Sequence, residues 1–280
     1  MSRLSVWVLV VCLVVPTAAW SQTVPTSPRP IVVQGAMPSE TDRLVAKLDN
    51  ATAEKVGGWT FWVGTIDGYP VIVSRTLKGM SNAAAATVLA VERYHPRAII
   101  NQGTAGGHDP SLQLYDIVLG TSAVNAGAFR TPVRAAGGGS SSLDWMPLDL
   151  MASEGSAGND PKARRLSTFQ ADQMLLDTAR RVGPRYTRGK IAEGVIGSSD
   201  MWNDEIDRIS HLHAAYGTMV EEMETASTAQ IAGLFNTPFL GIRVVSDNAT
   251  NNGAYDPRTS EACQDYVYDV VKAVIVTLKR

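Results

Sequence analysis

The sequence predicts an α/β fold: a single domain with a central mixed β-sheet flanked by helices. Two observations carry the prediction. Short apolar, β-branched runs alternate with segments of helical periodicity from Ile31 to the C-terminus. The runs repeatedly end in loops rich in Gly, Ser or acids, as in "GAMPSE", "NQGTAGG", "GSSDMW" and "VVSDN". The chain has 280 residues, 45% hydrophobic, which is enough to bury a substantial core.

The chain opens on a targeting pattern. Arg3 precedes the apolar run "LSVWVLVVCLVV", which is too short to span a bilayer, and Ala19 and Ser21 stand at the small-residue positions of a cut before Gln22. Residues 1–21 therefore read as a signal peptide and 22–30 as a leader, leaving a domain over 31–280 that is secreted or periplasmic and has no membrane contact once the signal is cleaved.

"IVVQG" is a buried strand, and "SETDRLVAKLDN" a helix starting at Pro38 or Ser39, with Leu44, Val45 and Leu48 as its apolar stripe. "WTFWVGTIDGYPVIVSR" is a hairpin turning at Asp67-Gly68. "SNAAAATVLAVERY" is a helix capped by Ser81 or Asn82, "RAIINQGTAGG" a strand entering a Gly-rich loop, and "YDIVLGTSAV" a further strand. Residues 131–168 are rich in Gly, Ser and Pro and read as a polar surface insertion. Helix "QADQMLLDTARRVG", strand "GKIAEGVIGSSD" and helix "NDEIDRISHLHAAYG" restore the alternation. "MVEEMETAS" is a strand end entering the helix "ASTAQIAGLFN"; "TPFLGIRVVSD" is a strand. "EACQDYVYDVVKAVIVTLKR" closes the chain as an amphipathic helix.

Composition excludes several functions. A net charge of −2 leaves no basic footprint for nucleic acid. Beyond the signal, Cys263 is the only cysteine, so neither an internal disulfide nor a cysteine-ligated metal site can form. No "HExxH", P-loop or "GxSxG" occurs, and His211 and His213, two apart on a helix, point to different faces. No metal or organic cofactor is expected.

Taken in order, "GAMPSE", "NQGTAGG", "EEMETA" and "RVVSDNA" resemble the nucleoside phosphorylase/nucleosidase superfamily. Within it the chain looks most like the 5′-methylthioadenosine/S-adenosylhomocysteine nucleosidases, collinearly from about Ile31 onward. The resemblance implies that Glu40, closing the motif that contains Met37, activates water. It implies that Thr104, Ala105 and Gly106 line the ribose and base, and that Met223 and Glu224 hold the ribose. Ser246 and Asp247 would recognise the purine, Asp247 acting on N7 and the exocyclic amine, and Trp202 would stack on it. Glu222 would support the ribose site, whereas Glu221 reads as a solvated bystander and His108 as an ordinary loop histidine. The resemblance further implies a homodimer, with "NAGAFRTP" as the segment that closes the partner's pocket.

The chemistry needs such a set. Breaking an N-glycosidic bond requires a proton for the leaving purine, tolerance of cationic character on the ribose, and a base that deprotonates water on the opposite face. Hydrolysis of adenine nucleosides, releasing adenine, is the expected reaction. Asp247 rather than Asn favours a 6-amino purine. Asn101 stands where phosphorylases carry a phosphate-binding Arg, and the nearest cations are Arg75 and Lys78. A phosphate-dependent purine nucleoside phosphorylase and a non-catalytic nucleoside-binding protein are the alternatives.

Overall fold

The computed structural model describes residues 28–148, 150–151, 165–166 and 168–279. The signal-peptide reading and the middle of the insertion lie outside them.

Strands are Ile31–Gly35 (β1), Asp49–Val56 (β2), Trp59–Ile66 (β3), Tyr69–Arg75 (β4), Ala98–Gly107 (β5) and Ile117–Asn125 (β6). The pairs Phe129–Arg130 (β7), Met146–Pro147 (β8), Leu150–Met151 (β9) and Arg165–Leu166 (β10) fall around the insertion, whose residues 131–140 are exposed. Thr168–Gln170 (β11), Ile191–Ser198 (β12), Thr218–Glu222 (β13) and Phe239–Asp247 (β14) complete the set. Helices are Pro38–Val45 (α1), Met80–Tyr94 (α2), Gln173–Val182 (α3), Ile206–Tyr216 (α4), Thr225–Leu234 (α5) and Thr259–Leu278 (α6). Among the described residues no helix is long and apolar enough to cross a membrane.

A ten-stranded mixed sheet runs β11-β6-β12-β13-β5-β1-β4-β3-β2, with β14 between β5 and β6. The pairings β5–β13, β13–β12, β12–β6, β6–β14 and β14–β5 therefore close a ring inside the sheet. One edge of β5 changes partner along its length. Ala98–Ile100 and Asn101 pair with β1, whereas Gly106 and Gly107 pair with β13. Between them, Gln102 to Ala105 face the gap where β1 and β13 diverge, the kind of strand parting at which open α/β sheets place ligands.

The core matches the apolar runs. Ile31, Val33, Val71, Ile100, Leu119 and Ile242 bury one sheet face against α6, whose Tyr266, Val267, Val270, Val271 and Val274 are buried. Each such side chain contributes about 1.5–3 kcal/mol of burial free energy. The hairpin turns at Asp67 and Gly68, both with positive φ (49° and 72°).

Three expectations need correction. The first helix ends at Val45, and Asp49 and Asn50 open β2, a strand not anticipated. Among the described residues it pairs on one side only, and it is mostly exposed, so no apolar alternation announces it. The N-terminus of α2 is not capped by Ser81 or Asn82. Its N-cap is Gly79, and Asp200, 120 residues away, accepts the Met80 N–H at 2.8 Å. "GTAGG" is strand β5 itself, through Gly107, not a loop after it.

Candidate active site

Glu40 enters the pocket because α1 begins immediately after β1. Pro38 at the first helical turn fixes the entry, and Glu40 at the third position turns its carboxylate back over the helix start. Oε2 accepts the Ala36 and Met37 N–H groups at 2.9 and 3.2 Å. Oε1 accepts the Thr104 N–H at 2.9 Å and the Thr104 hydroxyl at 3.0 Å. Glu40 is thus both a helix cap and the tie across the β1–β5 gap, buried yet lining the pocket.

Gly103 makes that position possible. A Cβ there would lie 2.6 Å from Glu40 Oε1 and 2.9 Å from its Cδ. Gly103→Ala is expected to displace the carboxylate, lowering turnover by about 10²-fold, the scale at which a 1 Å misplacement acts. Circular dichroism should still show a folded protein; unaltered turnover would mean the carboxylate position is unimportant.

The acids of "MVEEMETAS" have three different environments. Glu222 lines the pocket, but its oxygens are occupied. They accept from Ser198 Oγ, from the Glu224 N–H at 3.0 Å, from the Thr225 N–H at 3.0 and 3.1 Å, and from Arg243. Arg243 is buried behind it and also donates to Asn101. This ion pair fixes the start of α5, where Glu224 is N-cap. Arg243→Met would leave Glu222 charged and buried without its cation. A stability loss of about 3–5 kcal/mol is expected from denaturant unfolding.

Glu224 is buried and lines the pocket; its Oε1 accepts the Gly79 N–H at 2.8 Å. Burial, then the nearby Glu222 and Glu40 carboxylates, push its pKa well above the usual carboxylate range, against the pull of Arg243 and the Gly79 N–H. Hydroxyl donors arriving at this carboxylate would favour its charged form.

Glu221 is not solvated. It is 7% exposed and lines the pocket. It accepts from Ser199 Oγ, from Asn203 Nδ2 at 3.1 Å and from His108 Nε2 at 3.1 Å. Because a carboxylate only accepts, His108 Nε2 is the donor to Glu221, and Nδ1 lies 2.8 Å from Thr218 Oγ1. Burial works to raise the Glu221 pKa, but the hydrogen bonds from His108, Ser199 and Asn203 hold it below the usual range. His108 is likewise buried and lines the pocket. The partners are 113 residues apart; the hint in the sequence was only that His108 follows "GTAGG".

At the other end, Asp247 is the last residue of β14. Ser246 Oγ donates to Asp247 Oδ1 at 2.8 Å, and Oδ2 lies over Gly106, 3.2 Å from where a Cβ would stand. Burial raises the Asp247 pKa, with Ser246 opposing and Asp204 reinforcing. With Ser246 donating to Oδ1, a carboxyl proton belongs on Oδ2, the oxygen over the strand floor. Gly103 and Gly106 are three residues apart, so the Glu40 and Asp247 ends stand roughly 10 Å apart along β5.

Met37, Thr104, Ala105, Gly106, Met223 and Ser246 all line this pocket. Trp202 lines it from the rim, 63% exposed and edge-on to Tyr255 at 5.7 Å, a neighbour the sequence reading missed. Among the described residues Lys78 is the one Lys or Arg that lines the pocket. Arg75 instead pairs with Asp42 and sits over Trp62, and Asn101 is buried against Arg243. Among the described residues no cluster of three His, Cys, Asp or Glu side chains is placed to hold a metal ion.

The family model of the phosphorylase superfamily matches residues 30–276. The 5′-methylthioadenosine/S-adenosylhomocysteine nucleosidase of Anoxybacillus flavithermus is 30% identical over 220 residues, 78% of this chain and 85% of the relative. The Neisseria meningitidis 5′-methylthioadenosine/S-adenosylhomocysteine nucleosidase, solved with methylthio-immucillin-A, superposes with a TM-score of 0.70 at 23% identity, over 88% of this chain and all of the other. Futalosine hydrolase of Helicobacter pylori superposes with a TM-score of 0.69 at 20% identity, over 87% of this chain and 97% of the other. Likeness at that identity speaks for the fold alone.

Proposed function

The chain belongs to the phosphorylase superfamily and, within it, to the 5′-methylthioadenosine/S-adenosylhomocysteine nucleosidase family, and on that premise we propose that it is an N-glycosidic hydrolase of adenine nucleosides such as those two, releasing adenine. One observation supports this above the rest: two carboxyl groups with different environments face one pocket from opposite ends. Glu40 is held by donors on both oxygens. Asp247 has its pKa raised by burial, which suits a proton donor.

In this reading, the purine lies over Ala105 and Gly106, and Asp247 Oδ2 protonates it as the bond breaks. Glu224 and Met223 hold the ribose, and the Glu224 carboxylate favours the cationic character that develops on the sugar. Glu40 takes the proton of a water that attacks the anomeric carbon. Glu222, its oxygens committed to Arg243, Ser198 and the α5 N-terminus, holds Glu224 in place rather than touching substrate. Trp202 supplies a flat wall if it turns from Tyr255 onto the base.

Phosphorolysis is disfavoured because, among the described residues, Lys78 is the sole Lys or Arg that lines the pocket, whereas phosphate is normally gripped by several charge-assisted donors. Wild-type protein is expected to release adenine from 5′-methylthioadenosine at the same rate with and without phosphate. A strict phosphate requirement would establish the phosphorylase alternative, and tight binding without release the non-catalytic one.

Export and dimerisation are part of the same proposal. Exposed Met146, Leu148, Met201 and Ile206 supply apolar surface of the kind a partner covers. A mature chain beginning at Gln22 and a solution mass of two chains are expected. An uncleaved N-terminus or a monomer would contradict the respective part.

A further inference from the structure

We propose that Glu221 reads the base, so that the site prefers purines bearing an N–H donor on the edge turned away from Asp247, a 2-amino group above all. The inference rests on the nucleosidase reading and extends it to the choice of base.

Register places the group. Gly106 in β5 pairs with Glu221 of β13 on one side and with Asp247 of β14 on the other. Neighbouring strands are about 4.8 Å apart, so the two acids stand roughly 10 Å apart at their Cα atoms. Facing residues of paired strands project from the same face, and Glu221, Gly106 and Asp247 all line the pocket. Two carboxyl groups thus flank a floor without a side chain, on which a flat ring would lie.

Hydrogen-bonding capacity gives the group its direction. Glu221 Oε2 takes donors from His108 and Asn203, and Oε1 takes one from Ser199. A carboxylate offers about four lone-pair sites, so one on Oε1 is left over. Both ring nitrogens of His108 are engaged, by Glu221 and Thr218, so the pair presents an acceptor and no spare donor. No Lys or Arg pairs with Glu221 among the described residues. A buried carboxylate in that state gains from each further N–H it receives.

Base chemistry then picks the ligand. A purine that meets Asp247 with N7 and its 6-amino group turns its C2–N3 edge toward Glu221. Adenine offers only C–H at C2; a 2-amino purine offers N–H. The competing role for Glu221 is structural, tying Ser199 and Asn203, the flanks of Trp202, to β13.

The test compares kcat/KM for 5′-methylthioadenosine and its 2-amino derivative. The 2-amino compound is expected to be better by roughly tenfold, the scale of one hydrogen bond to a charged acceptor. Glu221→Gln should cut that ratio several-fold, whatever happens to either rate alone. A wild-type ratio of one or less overturns the proposal, as does a ratio that Glu221→Gln leaves intact. A purely structural Glu221 would lower both rates together. If the variant does not fold, inhibition of wild type by free 2,6-diaminopurine against adenine reads the same preference. Cleavage of 5′-methylthioadenosine without a 2-amino preference removes this inference alone; cleavage of neither compound removes the nucleosidase reading with it.

Discussion

Glu40→Gln is expected to lower adenine release from 5′-methylthioadenosine by about 10²–10⁴-fold, the usual worth of a general base. The geometry also forecasts a side effect. All four groups bonded to Glu40 donate to it: the N–H groups of Ala36, Met37 and Thr104, and the Thr104 hydroxyl. An amide nitrogen in place of one oxygen would face N–H donors rather than an acceptor. Leaving such buried donors unmet costs about 1–3 kcal/mol, so the variant should melt earlier yet remain folded. Initial rates beside a thermal melt separate the two effects. Turnover within tenfold of wild type would remove Glu40 from the chemistry and leave it as the cap of α1.

Asp247→Asn is the second large loss, again about 10²–10⁴-fold in kcat. Asparagine keeps a donor for the purine but has no proton to give, so KM should move less than kcat. Wild-type pH dependence carries the sign. The acting form is protonated, and burial raises the Asp247 pKa. Activity is therefore retained above the ordinary aspartate range and falls as pH rises through that raised value. In Asp247→Asn this alkaline fall should disappear from the kcat profile. An unchanged alkaline limb in the variant would assign it to another group.

The alternation of apolar runs and helical periods was enough to read the sheet and its helices, because strands such as β1 and β5 bury short apolar runs and α6 buries the apolar stripe of an amphipathic helix. It was not enough for β2, whose residues "DNATAEKV" are mostly exposed and carry no strand pattern. The closed ring was also hidden, since it depends on β5 pairing with both β13 and β14, a choice made by contacts more than 100 residues apart in sequence.

The same distinction runs through the site. Residues at or just beyond strand ends, Glu40, Glu224 and Asp247, could be picked out because loops at strand ends converge. The structure brings all three to one pocket. Glu221 could not. A glutamate within three residues of two others looks solvated until His108, Ser199 and Asn203 are seen to enclose it. Glu222 was legible as a supporting residue but not its reason, the Arg243 guanidinium buried 21 residues along the chain.

The account is tested most directly by identifying the sugar product. Wild-type protein is incubated with 5′-methylthioadenosine in phosphate buffer, and the products are weighed by mass spectrometry. Free 5-methylthioribose beside adenine is the predicted result, since a water activated at Glu40 is the nucleophile. 5-Methylthioribose 1-phosphate would contradict it.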